Sequence, residues 1–161
     1  MICIIKAREM GEEVADLSHI IVTGAGNGLP YEVVRGARER FRYTRTIGIS
    51  PANDAREYFE RYGFPLELFT FIVYTGMGLK GRNVVMVRSC DKVLAIGGRI
   101  GTLNELTIAF DEGKTIGLLQ GSGGISDRFE QLTKELGKPG GKIISDPDPK
   151  SLARNVIYNL G

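Results

Sequence analysis

Along this chain, short apolar segments alternate with segments whose apolar residues recur every three or four positions. Strand-like runs fall at residues 2–5, 20–23, 46–49, 69–74, 92–96, 115–119 and 142–144. Between them lie helical stripes: Ala7, Met10, Val14 and Leu17; a segment over 31–40; Leu103, Leu106 and Phe110; Phe129, Leu132 and Leu136. A last helix is expected over 149–160, with Asp148 as its N-cap and Leu152, Val156 and Leu160 four apart. Strands that alternate with helices of about ten residues form right-handed βαβ units. The expectation is therefore an α/β, doubly wound, Rossmann-like fold: a mainly parallel sheet with helices on both faces, in one domain over 1–161. No repeat or composition break suggests a second domain.

Composition narrows the function. With 42% hydrophobic and 25% charged residues the chain is globular, and its longest apolar run, 69–74, is far too short to cross a bilayer. No secretory signal pattern precedes it, so the chain reads as a cytoplasmic protein without a membrane partner. The two cysteines, Cys3 and Cys90, sit among apolar neighbours and suggest neither a disulfide scaffold nor a metal site. His19, the one histidine, opens an apolar run and reads as a structural or surface residue. A net charge of +2 without a basic run gives no reason to expect a nucleic-acid partner, but a small anion is compatible with it. Glycine stands out at 22 of 161 residues, and the glycines cluster where apolar segments end. In doubly wound sheets that is where ligands bind.

Three glycine-rich loops follow from this. Gly24, Gly26, Asn27 and Gly28 lie between a strand and a helix, where glycine lets backbone approach a ligand and the helix start offers unpaired N–H groups. A tight turn explains them as well. The spacing does not fit a dinucleotide fingerprint, and the next strand runs into Ser50-Pro51 with no acid for a ribose, so NAD and FAD are rejected. In the second loop, from Gly76 to Asn83, Arg82 is expected in the first turn of a helix, a place that disfavours positive charge unless an anion faces it. A surface ion pair is the alternative, and Arg88 reads as structural. The third loop is "AIGGRIGTLNEL", residues 95–106, in which Gly97, Gly98 and Gly101 can gather backbone N–H groups around an anion. Thr102 and Glu105 fit a capping box there, yet such a box does not need Gly97-Gly98, and the pair suggests close approach by another group.

Together, G-G-x-x-G-T-x-x-E after a strand, Arg82 with Met86 upstream, and the G-x-G-x-G-L loop from Gly24 to Leu29 resemble the LOG-like proteins. These are nucleotide-binding Rossmann proteins often labelled "lysine decarboxylase". The resemblance implies a phosphoribohydrolase that cleaves a nucleoside 5'-monophosphate to base and ribose 5-phosphate. It places the catalytic pair on Arg82 and Glu105 and the phosphate loop on Gly97, Gly98, Gly101 and Thr102, with Arg99 where the family keeps glycine. It further implies a homodimer or larger homo-oligomer. The aromatic cluster Tyr58, Phe59, Tyr62, Phe64 and Phe69 can supply an apolar face for that, or fill a core.

The chain departs from the family at several points. Gly97-Gly98-Arg99 replaces Pro-Gly-Gly, Lys80-Gly81 replaces Met-His, Asn83 replaces Lys, and Pro30 follows Leu29. These departures point away from cytokinin nucleotides and toward molybdenum cofactor carrier proteins, a similar branch that binds without known hydrolysis of this kind. The expected strand at 2–5 runs through Lys6 directly into Ala7, without the family's small-residue loop. Either Met1 to Ile5 fills that place in a short form or the chain extended further upstream. Lysine decarboxylation is rejected because no lysine has a recognisable Schiff-base setting. No cofactor and no metal are expected. The chemistry left standing is hydrolysis of a nucleoside monophosphate, or carriage of a nucleotide-like or pterin phosphate.

Overall fold

The computed structural model describes residues 2–159. Among them, seven α-helices and six strands alternate, and every strand pairing is parallel. The α/β, Rossmann-like expectation holds. Hydrogen bonding resolves the strands into two three-stranded sheets, ordered β1-β2-β3 and β4-β5-β6. The chain divides into two compact units, one up to Met86 and one from Val87.

The first unit contains α1 (Ile2–Asp16), β1 (Ile21–Thr23), α2 (Leu29–Arg40), β2 (Thr46–Ser50), α3 (Ala55–Glu57), a π-helical turn over Tyr58–Tyr62, and β3 (Phe71–Tyr74). Helix α4 (Gly78–Arg88) carries the chain across the division. Residues 2–5 form the first turn of α1, which corrects the strand expected there. The apolar Ile2, Ile4 and Ile5 are largely exposed, whereas Ala7, Met10, Gly11, Val14 and Ala15 are buried at helical spacing. Lys6-Ala7-Arg8-Glu9 are good helix formers with no turn residue before them, so the helix runs through the apolar run. His19 lies in the exposed turn before β1, its N–H donating to the Val14 carbonyl at 3.3 Å.

Helices α1 and α2 meet through glycine. A Cβ at Gly36 would lie 2.6 Å from the Arg8 Cα and 2.7 Å from its carbonyl carbon, and one at Gly11 would lie 2.8 Å from the Val33 carbonyl carbon. The two backbones touch, with Arg8 bonded to Glu32 and Arg40 to Asp16, each at 2.7 Å, flanking the contact.

The first sheet is sealed by aromatic residues. Tyr58 is fully buried with Ala25 and Ala52, and Tyr62, Phe64, Phe69, Ile72 and Tyr74 pack on this group, while Phe59 is exposed. Phe64 and Tyr74 meet the Tyr58 ring edge-on, both at 6.0 Å. Burial, seconded by the neighbouring Tyr74, Tyr31 and Glu67, pushes the Tyr58 phenol from 10.0 up to about 12. A raised pKa means that the native state keeps this proton when the unfolded chain has lost it. Stability is therefore full below pH 10 and falls as pH rises toward 12, by up to about 1.4 kcal/mol per pH unit. Urea titrations across that window are expected to show the slope, and Tyr58→Phe to remove it.

The second unit contains β4 (Lys92–Ile96), α5 (Ile100–Asp111), β5 (Thr115–Leu119), α6 (Phe129–Leu136), β6 (Ile143–Asp146) and α7 (Pro149–Ile157). Strand β5, flanked by β4 and β6, is buried along its whole length. Gly117 leaves room for Val156 and Leu152 of α7, which a Cβ would meet at 2.6 and 3.3 Å. Asp148 caps α7 as expected, accepting from the Ser151 N–H at 2.7 Å. Helix α7 ends at Ile157, and Leu160 lies outside the described residues.

Candidate functional site

In the first unit, the loop 24–28 leaves the carboxyl end of β1 and ends at Gly28, the N-cap of α2, whose first residue, Leu29, lies two residues before the expected start at Tyr31. The space beside Gly24 belongs to Arg82. A Cβ on Gly24 would lie 2.5 Å from the Arg82 Nη1 and closer still to Cζ and Nη2, so the guanidinium rests against this glycine. The backbone approach that glycine permits here is made by a side chain of the same unit. The Arg82 Nη1 also donates to the Asn83 Oδ1 at 2.7 Å and contacts the Met86 Sδ at 3.5 Å. Asn83 is buried, so its carbonyl fixes the plane of the guanidinium. Arg82 lies in the second turn of α4 rather than the first, because the helix already begins at Gly78. Gly26 meets only Phe64, at 3.9 Å for a Cβ, and Asn27 is exposed.

In the second unit, Gly97 and Gly98 follow β4 with φ of 60° and 94°. This turn makes Arg99 the extended N-cap of α5 and starts the helix at Ile100. Thr102 is therefore the third helical residue, and the expected capping box does not form. The Thr102 side chain lies against Gly98 instead, where a Cβ would meet its Oγ1 at 2.7 Å. Glu105 stands one turn further along α5, partly buried. Arg99 and Ile100 are exposed at the helix start. No side chain caps α5 and no acid occupies its first turn. The Leu103 N–H makes the first helical bond, to the Arg99 carbonyl, so the amides of Ile100, Gly101 and Thr102 lie among the four that a helix start leaves without helical acceptors.

A segment after β5 explains the paired glycines. The Ile125 N–H donates to the Gly98 carbonyl, and the Ser126 N–H to the Gly97 carbonyl, both at 3.0 Å. The Ser126 hydroxyl donates to the Gly97 carbonyl at 2.8 Å. The Gly97 N–H donates to the Ser122 Oγ at 2.8 Å, and that hydroxyl donates to the Leu119 carbonyl at 2.6 Å. Gly124 comes so close that a Cβ would lie 3.0 Å from the Gly97 carbonyl carbon. Asp127 holds the turn, accepting from the Gly121 and Gly123 N–H groups at 2.8 and 2.9 Å. Thus the group that approaches Gly97-Gly98 is this strap, and the Gly97 amide is directed into it. Ser122, Gly124, Ser126 and Asp127 escaped the reading of the sequence because a Gly-Ser-Gly-Gly run looks the same in a slack loop.

A cavity of about 250 Å³ is lined by Gln120, Gly121, Ser126, Asp127, Glu130 and Ser145. Lys134 and then Ser145, bonded to Glu130, hold that carboxyl below the usual range, so it stays ionised. With Asp127 beside it, the cavity disfavours an anion, whereas the start of α5 favours one. Among the described residues no cluster of three His, Cys, Asp or Glu is placed to hold a metal ion, and no helix is long and apolar enough to cross a membrane.

Known proteins share this fold. The chain is 28% identical to TM1055, a structural genomics target solved by X-ray methods, with a TM-score of 0.80 over 96% of this chain and 86% of that one. Its fold also resembles the molybdenum cofactor carrier protein of Chlamydomonas reinhardtii, at 20% identity and a TM-score of 0.68, covering 98% and 89% of the two chains. An uncharacterized protein of Archaeoglobus fulgidus is 27% identical over 114 residues, 71% of this chain and 68% of its own length. The resemblance to LOG-like proteins holds at the level of the superfamily, SLOG, which includes LOG. With residues 3–153 matching throughout, this chain belongs to the SLOG cluster4 family.

Proposed function

We propose that the chain binds a small phosphorylated ligand of the nucleoside monophosphate class at the start of α5 and hydrolyses its N-glycosidic bond to base and ribose 5-phosphate. One observation carries the reading: α5 begins without a side-chain cap, without an acid in its first turn, and with Arg99 at its N-cap. A positive residue there opposes the helix dipole by a few tenths of a kcal/mol. An anion on the Ile100, Gly101 and Thr102 amides reverses that sign and accepts from groups the helix leaves open. Arg99 lies on the same helix start, at its N-cap. Gly97 and Gly98 serve by shaping the turn.

Two further roles belong to this proposal. Glu105 supplies a carboxylate that stabilises the oxocarbenium-like sugar as the base departs or orients the attacking water. Arg82 supplies a guanidinium that orients the phosphate or ribose, with the loop of Gly24, Gly26, Asn27 and Gly28 shaping its surroundings. The protein acts as a cytoplasmic homodimer or larger homo-oligomer, without nucleic acid.

A panel of nucleoside monophosphates assayed for free base tests the chemistry. Glu105→Gln is expected to lower base release by about a hundredfold or more while changing affinity little. Unchanged turnover of every active nucleotide in that variant sinks the assignment. The second reading, a carrier, draws on the likeness in fold to the molybdenum cofactor carrier protein. It expects saturable binding with no ribose 5-phosphate released by the wild type.

A further inference from the structure

Ala25 has a φ of 53° and is fully buried. A residue with a Cβ enters the left-handed region only when its surroundings hold it there. The other non-glycine residue with positive φ among those described, Ser18, lies in an exposed turn, its backbone N–H donating to the Ala15 carbonyl at 2.9 Å. Ala25 instead takes this conformation inside the core. Its carbonyl accepts from the Tyr58 hydroxyl at 2.5 Å, and that hydroxyl also reaches the Pro65 carbonyl at 3.3 Å. Its N–H is 3.4 Å from the Thr23 Oγ1. Its methyl fits over β2 because residue 48 is glycine, where a Cβ would lie 2.8 Å from the Ala25 Cβ. The Tyr58 ring is fixed between Phe64 and Tyr74. The π-helical turn that it opens is closed by the Gly63 N–H on the Tyr58 carbonyl at 3.1 Å. Such turns recur at functional sites.

We propose that Tyr58 is a positioning residue: its hydroxyl holds Ala25 in the left-handed conformation that sets Gly24 against the Arg82 guanidinium. Through that guanidinium Tyr58 governs affinity for the phosphorylated ligand, a consequence that rests on the function proposed above. The phenol is fully buried, so it acts through Ala25. It offsets the strain at Ala25, and Gly24 is the residue immediately before it in the chain.

Hydrogen exchange on the full chain, read at the amides of 24–28, separates this role from simple core packing. Tyr58→Phe keeps the ring and removes the hydroxyl. It is expected to speed exchange there about five- to tenfold, leave β5 unchanged, and weaken AMP binding by a similar factor. Ala25→Gly removes the strain, so in the Tyr58→Phe background it is expected to bring exchange and AMP affinity back to within about twofold of wild type. Unchanged exchange at 24–28, acceleration spread equally over β5, or failure of the rescue overturns the proposal. If the wild type binds no AMP, the functional reading falls, and the exchange and rescue data alone decide whether Tyr58 anchors the loop.

Discussion

Replacing Gly24 by alanine is expected to weaken AMP binding by at least about tenfold while moving the melting temperature by no more than a few degrees. The new methyl group falls on the Arg82 guanidinium, which is the far end of a flexible side chain. The side chain swings away at the cost of its 2.7 Å bond to the Asn83 Oδ1, roughly 1 kcal/mol. Stability therefore changes little. A ligand that relied on this guanidinium loses a charge-assisted contact worth about 1.5–3 kcal/mol, which is about tenfold or more in affinity. Combining Gly24→Ala with Arg82→Ala is expected to cost no more than Arg82→Ala alone, since both remove the same group. Calorimetric titration with AMP reads all three variants. Wild-type affinity in Gly24→Ala would remove Arg82 from the ligand's surroundings.

The second large effect concerns stability alone. Gly36→Ala and Gly11→Ala are each expected to lower the unfolding free energy by about 2 kcal/mol, even though alanine is the better helix former by about 1 kcal/mol. The clash outweighs propensity because each added Cβ meets rigid backbone: Arg8 in one case, Val33 in the other. Neither can turn aside as the Arg82 side chain can, so α1 and α2 must separate. Separation made for one methyl group also makes room for the other. The double variant is therefore expected to cost clearly less than the sum of the two, and denaturant titration of the four proteins closes the cycle. Additive losses would mean that each helix yields locally.

The contrast between these glycines shows what the sequence could tell. Periodicity located β2, β4, β5 and the helix after Gly97 because burial of one face writes itself locally. It misread residues 2–5, since a short apolar run is the same in a strand and in an exposed helical turn. The Thr102-x-x-Glu105 spacing matched a capping box, but the left-handed turn at Gly97-Gly98 moved the helix start forward to Ile100. The glycines before α5 were recognisable as a place of close approach. Their partner was not, because the strap lies beyond a whole βα unit. Likewise nothing local joins Gly24 to Arg82 or Tyr58 to Ala25. These contacts arise only when parallel strands bring their carboxyl ends to one side.

The strap after β5 also bears on the thermodynamics of association. Glycine-rich loops beside anion sites often order only when a ligand arrives, and the lost conformational freedom then subtracts from affinity. Here Ser122, Ser126 and Asp127 hold that backbone by hydrogen bonds made within the unit itself. Folding itself has removed the freedom of this stretch, so an anion bound at the start of α5, as proposed, would meet a preorganised turn beside it. On that proposal even a ligand of few atoms, with little contact surface to offer, would keep most of its interaction energy there as affinity.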